Sequence, residues 1–295
     1  MNDEALSALR KAGAVAREAR DHGAAMVAEG ISLLKVADEV EALIISKGAR
    51  PAFPVNISIN EVAAHYTPRS DDRLTFRNGD LVKIDVGAHV DGYIGDTAVT
   101  VEVGTRNWAS LIDSSAKALA IALEIVGEGV PINTVGGAIE RSIKSNGHLP
   151  VTNLTGHSMN RFNLHAGLTV PNYDDGGGAR IPRDVVLAIE PFATNGAGQV
   201  HNGKPGNIYR ILRDREVKDA GAAELFRQIK ENFGTLPFCE RWCAAINPKA
   251  TAHLRTLVRH GLLFAYPVLS EVRGGMVSQK EHTVVVSGSK VEVTT

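Results

Sequence analysis

Residues 27–51, VAEGISLLKVADEVEALIISKGARP, align without gaps with residues 126–150, VGEGVPINTVGGAIERSIKSNGHLP, and nine of the 25 positions are identical. Both segments carry Glu-Gly near the start and Gly and Pro near the end at matching positions. The apolar residues between follow the spacing of one helix face, and a Gly just past such a pattern is typical of a helix C-terminus. Chance similarity between two amphipathic helices does not account for the shared ends. We therefore predict a duplicated unit.

Each copy of the unit is predicted to contain two helices followed by strands. In the first copy the helices cover 4–27 and 31–47, and strands lie near 53–60, 80–89 and 95–103. In the second copy the helices cover 107–127 and 133–146, and strands lie near 150–156, 163–170 and 184–194. Two such halves bring their sheets together across a pseudo-twofold axis. A site at that junction would draw residues from both halves.

The segment 208–270 departs from this duplication. VKDAGAAELFRQIKENFG and NPKATAHLRTLVRHG have helical periodicity, and the chain then returns to a strand, GMVSQKEHTVVVSG, and a short last strand, KVEVT. We predict an α+β chain with one domain over 1–295. Its halves are 1–105 and 106–207 plus 271–295, and 208–270 forms a helical insertion subdomain.

Composition excludes several classes of function. The chain has 32 basic and 33 acidic residues in 295, a balance that argues against a nucleic-acid or membrane-surface binder. The N-terminal residues, MNDEALSALRKAG, contain no apolar core of signal-peptide length, and no apolar run reaches the length of a membrane span. The two cysteines, Cys239 and Cys243, are too few for a zinc knuckle, so we predict free, buried or half-buried thiols in a reducing compartment. The expected location is the cytoplasm.

Two acidic residues lie on opposite arms of a predicted hairpin. LVKIDVGAHVDGYIGDTAVTVEV (81–103) consists of two β-rich runs around Asp91-Gly92, a strong turn signal. A two-residue turn there places Asp85 opposite Ala98 and puts Asp96 two residues along on the same face. Val and Ile residues then occupy the other face. Any even loop length preserves this arrangement, whereas an odd loop or a bulge would not.

Three further residues are candidates to join the two aspartates. Glu190 follows the apolar run 185–189, His157 follows Gly156 in a predicted strand-end turn, and Glu281 lies within the predicted strand MVSQKEHTVVV. Two independent exposed acids on an edge hairpin are the alternative for Asp85 and Asp96. Four carboxylates, one imidazole and a bridging hydroxide would instead satisfy the coordination of two divalent cations, and the four carboxylates alone would balance their charge of +4.

Two more histidines fall in informative places. His165 is eight residues beyond His157, about 26 Å if both lay on one extended strand, so both can reach the site only if the chain loops back. His65, in NEVAAHYTP, follows the first strand of the first half. The alternative for each is an ordinary surface or hydrogen-bonded histidine.

The segments together resemble the methionine aminopeptidase family, in its type II, archaeal-like branch. The matching motifs occur in order and span nearly the whole chain: PAFPVNISINEVAAHYTP, KIDVGAHVDGYIGDTAVTV, NLTGHSMNRFNLHAG, AIEPFATNGAGQV, FAYPVL and SQKEHTVVV. The resemblance implies the pita-bread fold, which agrees with the duplication. A helical insertion after AIEPF is the feature that separates type II from type I enzymes.

The resemblance also implies a dinuclear metal site. Asp85 would ligate one ion in a bidentate manner, Asp96 and Glu281 would bridge both, and His157 and Glu190 would hold the other. The ions would be Co, Mn, Fe or Zn, and a bridging water or hydroxide would be the nucleophile.

Other roles follow from the same resemblance. Glu190 would also shuttle the proton. His165 would bind the carbonyl oxygen or its oxyanion, and His65 the scissile amide nitrogen or the methionine side chain. Phe53 and Leu164 would line the apolar methionine pocket.

The implied substrate is the N-terminal Met of nascent polypeptides whose second residue is small. We expect a monomer in transient contact with the ribosome, although no ribosome-docking extension is present, and no nucleic-acid or membrane partner. One rival is an X-Pro aminopeptidase or prolidase; such relatives usually carry a separate N-terminal domain, for which the chain leaves no room. The other is an inactive pita-bread protein that binds RNA or protein, but such proteins lose metal ligands, and all five candidates are present.

Overall fold

Seven helices and 16 strands make up the computed structural model, which describes residues 1–295. The helices are α1 (Asp3–Ala25), α2 (Leu33–Ser46), α3 (Ala109–Ile125), α4 (Ile132–Ser145), α5 (Ala220–Phe233), α6 (Glu240–Ile246) and α7 (Ala250–Arg259). The first eight strands are β1 (Arg50–Pro51), β2 (Asn56–Ile59), β3 (Val62–Ala64), β4 (Leu81–Val90), β5 (Tyr93–Glu102), β6 (Leu149–Pro150), β7 (Thr155–Met159) and β8 (Thr169–Pro171). The others are β9 (Asp184–Ile189), β10 (Phe192–Thr194), β11 (Val200–Ile211), β12 (Phe238–Cys239), β13 (Leu263–Glu271), β14 (Val277–Gln279), β15 (His282–Ser287) and β16 (Lys290–Val293).

The first half packs α1 and α2 against a sheet formed by β1, β4, β2 and β5. Its core joins Val36 and Val40 of α2 to Val82, Ile84 and Val86 of β4, all fully buried. Alternate residues of the hairpin therefore form the apolar helix-packing face that the sequence predicted, because successive side chains of a strand point to opposite faces. The opposite face is free to carry the acids.

The second half repeats this arrangement with α3, α4 and a five-stranded sheet in the order β16-β15-β9-β7-β8. The four predicted helices of the two halves are confirmed, with ends within about two residues of the predicted ones. The residues that bound the repeat also match in conformation. Gly30 and Gly129 have φ of 81° and 75°, and Gly48 and Gly147 have φ of 72° and 80°. Gly adopts this left-handed region at no steric cost because it lacks a Cβ, which explains why both copies have Gly at these positions.

The two halves meet where the first-half hairpin approaches the last strands of the chain. Ala98 of β5 forms a backbone bridge to Glu281, with Glu281 N donating to Ala98 O at 3.1 Å. The Thr97 hydroxyl donates to the Glu281 carbonyl at 2.8 Å. These contacts bring the acidic face of the hairpin against the sheet that contains β7 and β9.

Residues 208–270 contain α5, α6 and α7, which bury an apolar cluster of their own against β12 and the ends of β11 and β13. The helices occupy less of this segment than predicted, because β11 runs to Ile211 and β13 starts at Leu263. The division into halves and a subdomain stays a prediction.

The helical segment is attached to the first half by a buried ion pair. Arg241 donates to Glu41 of α2 at 2.6 Å, and the Trp242 indole donates to the same carboxylate at 2.7 Å. Cys239 and Cys243 are free and buried, as predicted. No helix combines the length and the apolar character needed to cross a bilayer.

Candidate active site

The β4–β5 hairpin places two aspartates at one end of a cavity. Asp85 pairs with Ala98 and Asp96 with Gly87, so the predicted register is confirmed. Both carboxylates line a cavity of about 330 Å³. Asp96 is buried and Asp85 is half-buried. The Asp96 amide donates to the Thr283 hydroxyl at 2.7 Å, which fixes this position against β15.

The second half supplies a histidine and a glutamate from neighbouring strands. His157 lies inside β7, where it pairs with Ala188 of β9, so its predicted position in a strand-end turn was wrong. Glu190 follows the last residue of β9 directly, as predicted. The Nε2 atom of His157 lies 3.7 Å from Asp96 Oδ2 and 3.8 Å from Glu190 Oε1.

Glu281 completes the group from a position that the sequence did not predict. It lies between β14 and β15 rather than within one continuous strand, because the chain breaks its ladder there and bridges to Ala98. Ligand atoms of Asp96, His157 and Glu281 all lie within 4.8 Å of one another, and these three residues are buried. The structure therefore brings all five predicted ligands into one cavity. Their coordination of metal stays a prediction.

The electrostatics of these buried carboxylates favour the binding of a cation. Burial, together with the neighbouring carboxylates, raises the pKa of Asp96, Glu190 and Glu281 well above the usual values, and burial raises that of Asp85. The Oδ1 atoms of Asp85 and Asp96 are buried without a hydrogen-bond partner. Clustered carboxylates in such surroundings need a compensating cation.

The donor set fits divalent cations. Carboxylate oxygens are the ligands of hard divalent ions, and one imidazole is compatible with first-row transition metals. Burial lowers the pKa of His157 to about 3, so its imidazole is neutral and its lone pair is available to a metal.

His165 reaches the same cavity because the chain reverses after β7. Asn160 and Asn163 form a bridge, and the Ala166 amide donates to the Ser158 carbonyl at 2.7 Å. The ring centroids of His157 and His165 are therefore 4.4 Å apart, which confirms the predicted loop back. Burial lowers the pKa of His165, and the positive charge of Arg210 lowers it further.

His65 follows β3, the third strand of its half rather than the first, and its φ of 65° lies in the left-handed region. Its Nδ1 lies 3.3 Å from the Pro267 carbonyl, and its ring centroid lies 5.2 Å from that of Tyr266. Burial lowers the pKa of His65 to about 4, so the ring is neutral at neutral pH. His65 and His165, which are not among the five candidate metal ligands, therefore offer neutral hydrogen-bonding groups to the cavity.

The apolar part of the cavity contains Phe53 and Leu164, both buried and packed in one cluster. The ring of Phe53 lies directly over the Cα of Gly87, where a Cβ would be 2.5 Å from Cδ1 and 2.8 Å from Cζ. Gly87 is thus required for the position of that ring.

Sequence reasoning missed three residues of the site. Gln279 donates to Glu190 at 3.3 Å and to Glu281 at 3.4 Å, and Tyr266 contributes a wall beside His65. Asn56 pairs with Asp85 across β2 and β4 and lines the cavity. A signal existed for Gln279, which is two residues before Glu281 and so could share its face. No comparable signal marked Asn56 or Tyr266.

The sequence of the chain matches a known family of proteins. The profile of Metallopeptidase family M24 matches residues 7–286. A methionine aminopeptidase of Pyrococcus abyssi is 45% identical over 290 residues, covering 97% of this chain and 98% of the relative.

Solved structures support the fold alone. A thermophilic Arx1 has a TM-score of 0.88 at 15% identity, covering all of this chain and 91% of that one. The methionine aminopeptidase of Thermotoga maritima has a TM-score of 0.72 at 21% identity, covering all of this chain and 97% of that one. The predicted pita-bread fold is confirmed, and the chain belongs to Metallopeptidase family M24, among the methionine aminopeptidases.

Proposed function

We propose that this chain removes the N-terminal methionine from nascent polypeptides whose second residue is small. The observation that carries the proposal is the shared cavity. Four carboxylates and the neutral imidazole of His157 line one part of it, and Phe53 and Leu164 line another. A hydrolytic centre therefore adjoins an apolar pocket of suitable chemistry for a methionine side chain.

The metal centre that we propose contains two divalent ions held by Asp85, Asp96, His157, Glu190 and Glu281. Four carboxylates balance the charge of two such ions, and the Oδ1 atoms of Asp85 and Asp96 are buried without a hydrogen-bond partner. Co, Mn, Fe and Zn all suit this donor set, and affinity alone does not choose among them in a cell. When bound, the ions would supply a water of lowered pKa and polarisation of the scissile carbonyl.

The protein's own residues would carry the proton and the charge. Glu190 would take the proton of the attacking water and deliver it to the departing amine. His165, neutral and open to the cavity, would donate to the carbonyl oxygen as it becomes anionic. His65, which also lines the cavity beside Tyr266, would contact the scissile nitrogen or the methionine side chain.

The pocket for the second residue explains the proposed selectivity. We place it between His65, His165 and the candidate metal ligands, all of which line the cavity, so that a long second side chain would have to displace the two histidines. Met-Ala, Met-Gly and Met-Ser peptides should be cleaved, and Met-Asn or Met-Lys peptides scarcely. We further propose a monomer in the cytoplasm that contacts the ribosome transiently.

The test combines metal analysis with substrate choice. Protein purified anaerobically should contain divalent metal, and each reconstituted form should be assayed on Met-Ala and X-Pro peptides. Loss of both metal and Met-Ala cleavage in Asp85→Asn, with neither lost in Asp91→Asn at the exposed turn of the same hairpin, supports the proposal. Cleavage of X-Pro peptides alone would indicate a prolidase instead. Metal-free protein that cleaves neither would indicate an inactive binding protein.

A further inference from the structure

A groove opens beside the cavity that contains the five candidate metal ligands. Its volume is about 830 Å³, and it shares Leu164, His165, Pro237 and Tyr266 with the cavity. Because these four residues line both spaces, a chain that leaves the cavity past His165 enters the groove. Most of the rest of its lining comes from β11, β13, the end of α5 and the residues that follow α5.

Arg210 is the residue of this groove whose charge has no partner. It lies on β11 directly opposite Phe264 of β13, and its guanidinium carbon is 5.2 Å from the centroid of the Phe264 ring. The side chain is half-buried, and no group of the protein forms an ion pair or a hydrogen bond with it. Stacking on an aromatic ring holds a guanidinium plane in place while its N–H groups stay available.

The other charges of the groove cancel each other. Lys230 and Asp214 form an ion pair at 3.0 Å, and both line the same space. The groove therefore has one uncompensated positive charge, on Arg210, and His165 lines the same groove. A half-buried guanidinium with free donors is a site for a carboxylate, which it can bind in a bidentate manner.

We propose that the groove receives the substrate beyond its second residue and that Arg210 selects an acidic side chain there. This inference rests on the proposed function. If the methionine occupies the closed apolar end of the cavity, the rest of the peptide must leave through its open side. The groove directly adjoins the cavity through its four shared lining residues, so we place the third and fourth residues of an extended peptide in it. Arg210 thus determines specificity without touching the reacting atoms.

The test uses C-terminally amidated Met-Ala peptides, so that no terminal carboxylate imitates an acidic side chain. Asp, Asn or Lys is placed at position three or four, and kcat/KM is measured at low and high salt. Asp should exceed Asn by about fivefold at low salt, and the ratio should shrink as salt is added. Arg210→Gln should abolish the ratio, and Arg210→Glu should reverse the order so that Lys is preferred.

Arg213→Gln is the matched control, because Arg213 is exposed close by in sequence and does not line the groove. It should keep the wild-type ratio, which separates a local contact from the overall charge of the protein. A wild-type enzyme that cleaves all peptides equally would overturn the inference and leave the proposed function intact. An Asp-to-Asn ratio of kcat/KM that stays unchanged in Arg210→Gln would also overturn the inference and leave the proposed function intact. Failure of the metal-loaded enzyme to cleave any Met-Ala peptide would overturn the proposed function and this inference with it.

Discussion

The substitution Gly87→Ala tests the proposed methionine pocket without altering any candidate ligand. Gly87 lies in β4 opposite Asp96, and its φ is outside the left-handed region, so the backbone accepts Ala. The added Cβ would meet three carbons of the Phe53 ring, at 2.5 Å for Cδ1, 2.8 Å for Cζ and closer for Cε1. Carbon atoms in contact normally stay about 3.5 Å or more apart, so the ring must move by roughly 1 Å.

The direction in which the Phe53 ring moves determines the expected effect on kcat/KM. Phe53 is only 6% exposed and packs against buried neighbours such as Ala52 and Ile94, so the space available to the ring is the cavity. Overpacking of this kind typically costs about 1–3 kcal/mol. In the free enzyme the displaced ring relieves much of this strain, whereas a bound methionine would force the ring back. We therefore expect kcat/KM to fall roughly 5- to 150-fold, mainly through KM.

The assay measures kcat, KM and bound metal on a Met-Ala peptide for three variants. Gly87→Ala should keep its metal and raise KM. The double variant Gly87→Ala with Phe53→Leu should regain part of the loss, because the smaller side chain leaves room for the new methyl group. Gly127→Ala is the matched control, since its Cβ would meet only Val130 at 3.8 Å. An unchanged KM in Gly87→Ala would refute the placement of the methionine against Phe53, and loss of metal would show a distorted hairpin instead.

Three further predictions concern the residues around the metal centre. Asp96→Asn and Glu281→Gln should lose metal and turnover together, since each would remove a shared ligand; a variant with both metals and full turnover speaks against the assignment. His165→Ala should lower kcat by about 10²–10³ with little change in metal content or KM, and His65→Ala should raise KM as well, whereas wild-type turnover in His165→Ala would remove its catalytic role. Gln279→Met should weaken metal binding by about 10- to 100-fold, because Glu190 and Glu281 lose a common donor, and unaltered affinity in a metal titration would contradict this.

The sequence predicted those parts of the fold that depend on local periodicity. The hairpin register followed from a two-residue turn and the alternation of strand side chains, and it correctly placed Asp85 and Asp96 on one face. The helices followed from apolar spacing and from Gly at their ends. Each of these signals is contained within about 25 residues, so no knowledge of distant contacts was needed.

The errors lie where distant segments interact. Glu281 leaves the strand pattern because its backbone bridges to Ala98 of the other half. His157 was assigned to a turn because Gly156 precedes it. In the structure Gly156 lies inside β7, next to the backbone of Ala188 in β9. A Cβ at Gly156 would collide with the carbonyl oxygen of Ala188, so this close approach requires Gly. A Gly required by close approach and a Gly required by a turn are identical in sequence, so only the packing distinguishes them.

The same reasoning explains why the candidate ligands could be recognised and their neighbours could not. A carboxylate among apolar strand residues costs free energy unless it has a partner, so each acid in such a position signals a function on its own. Phe53 and Leu164 carry no such signal, since a pocket wall and a core have the same composition. Arg210 is the opposite case, because arginine is common on exposed strands and normally has a partner. Only the structure shows that the charge of Arg210 is unpaired beside the cavity. For this reason we propose that Arg210, which carried no signal in the sequence, selects the substrate beyond its second residue.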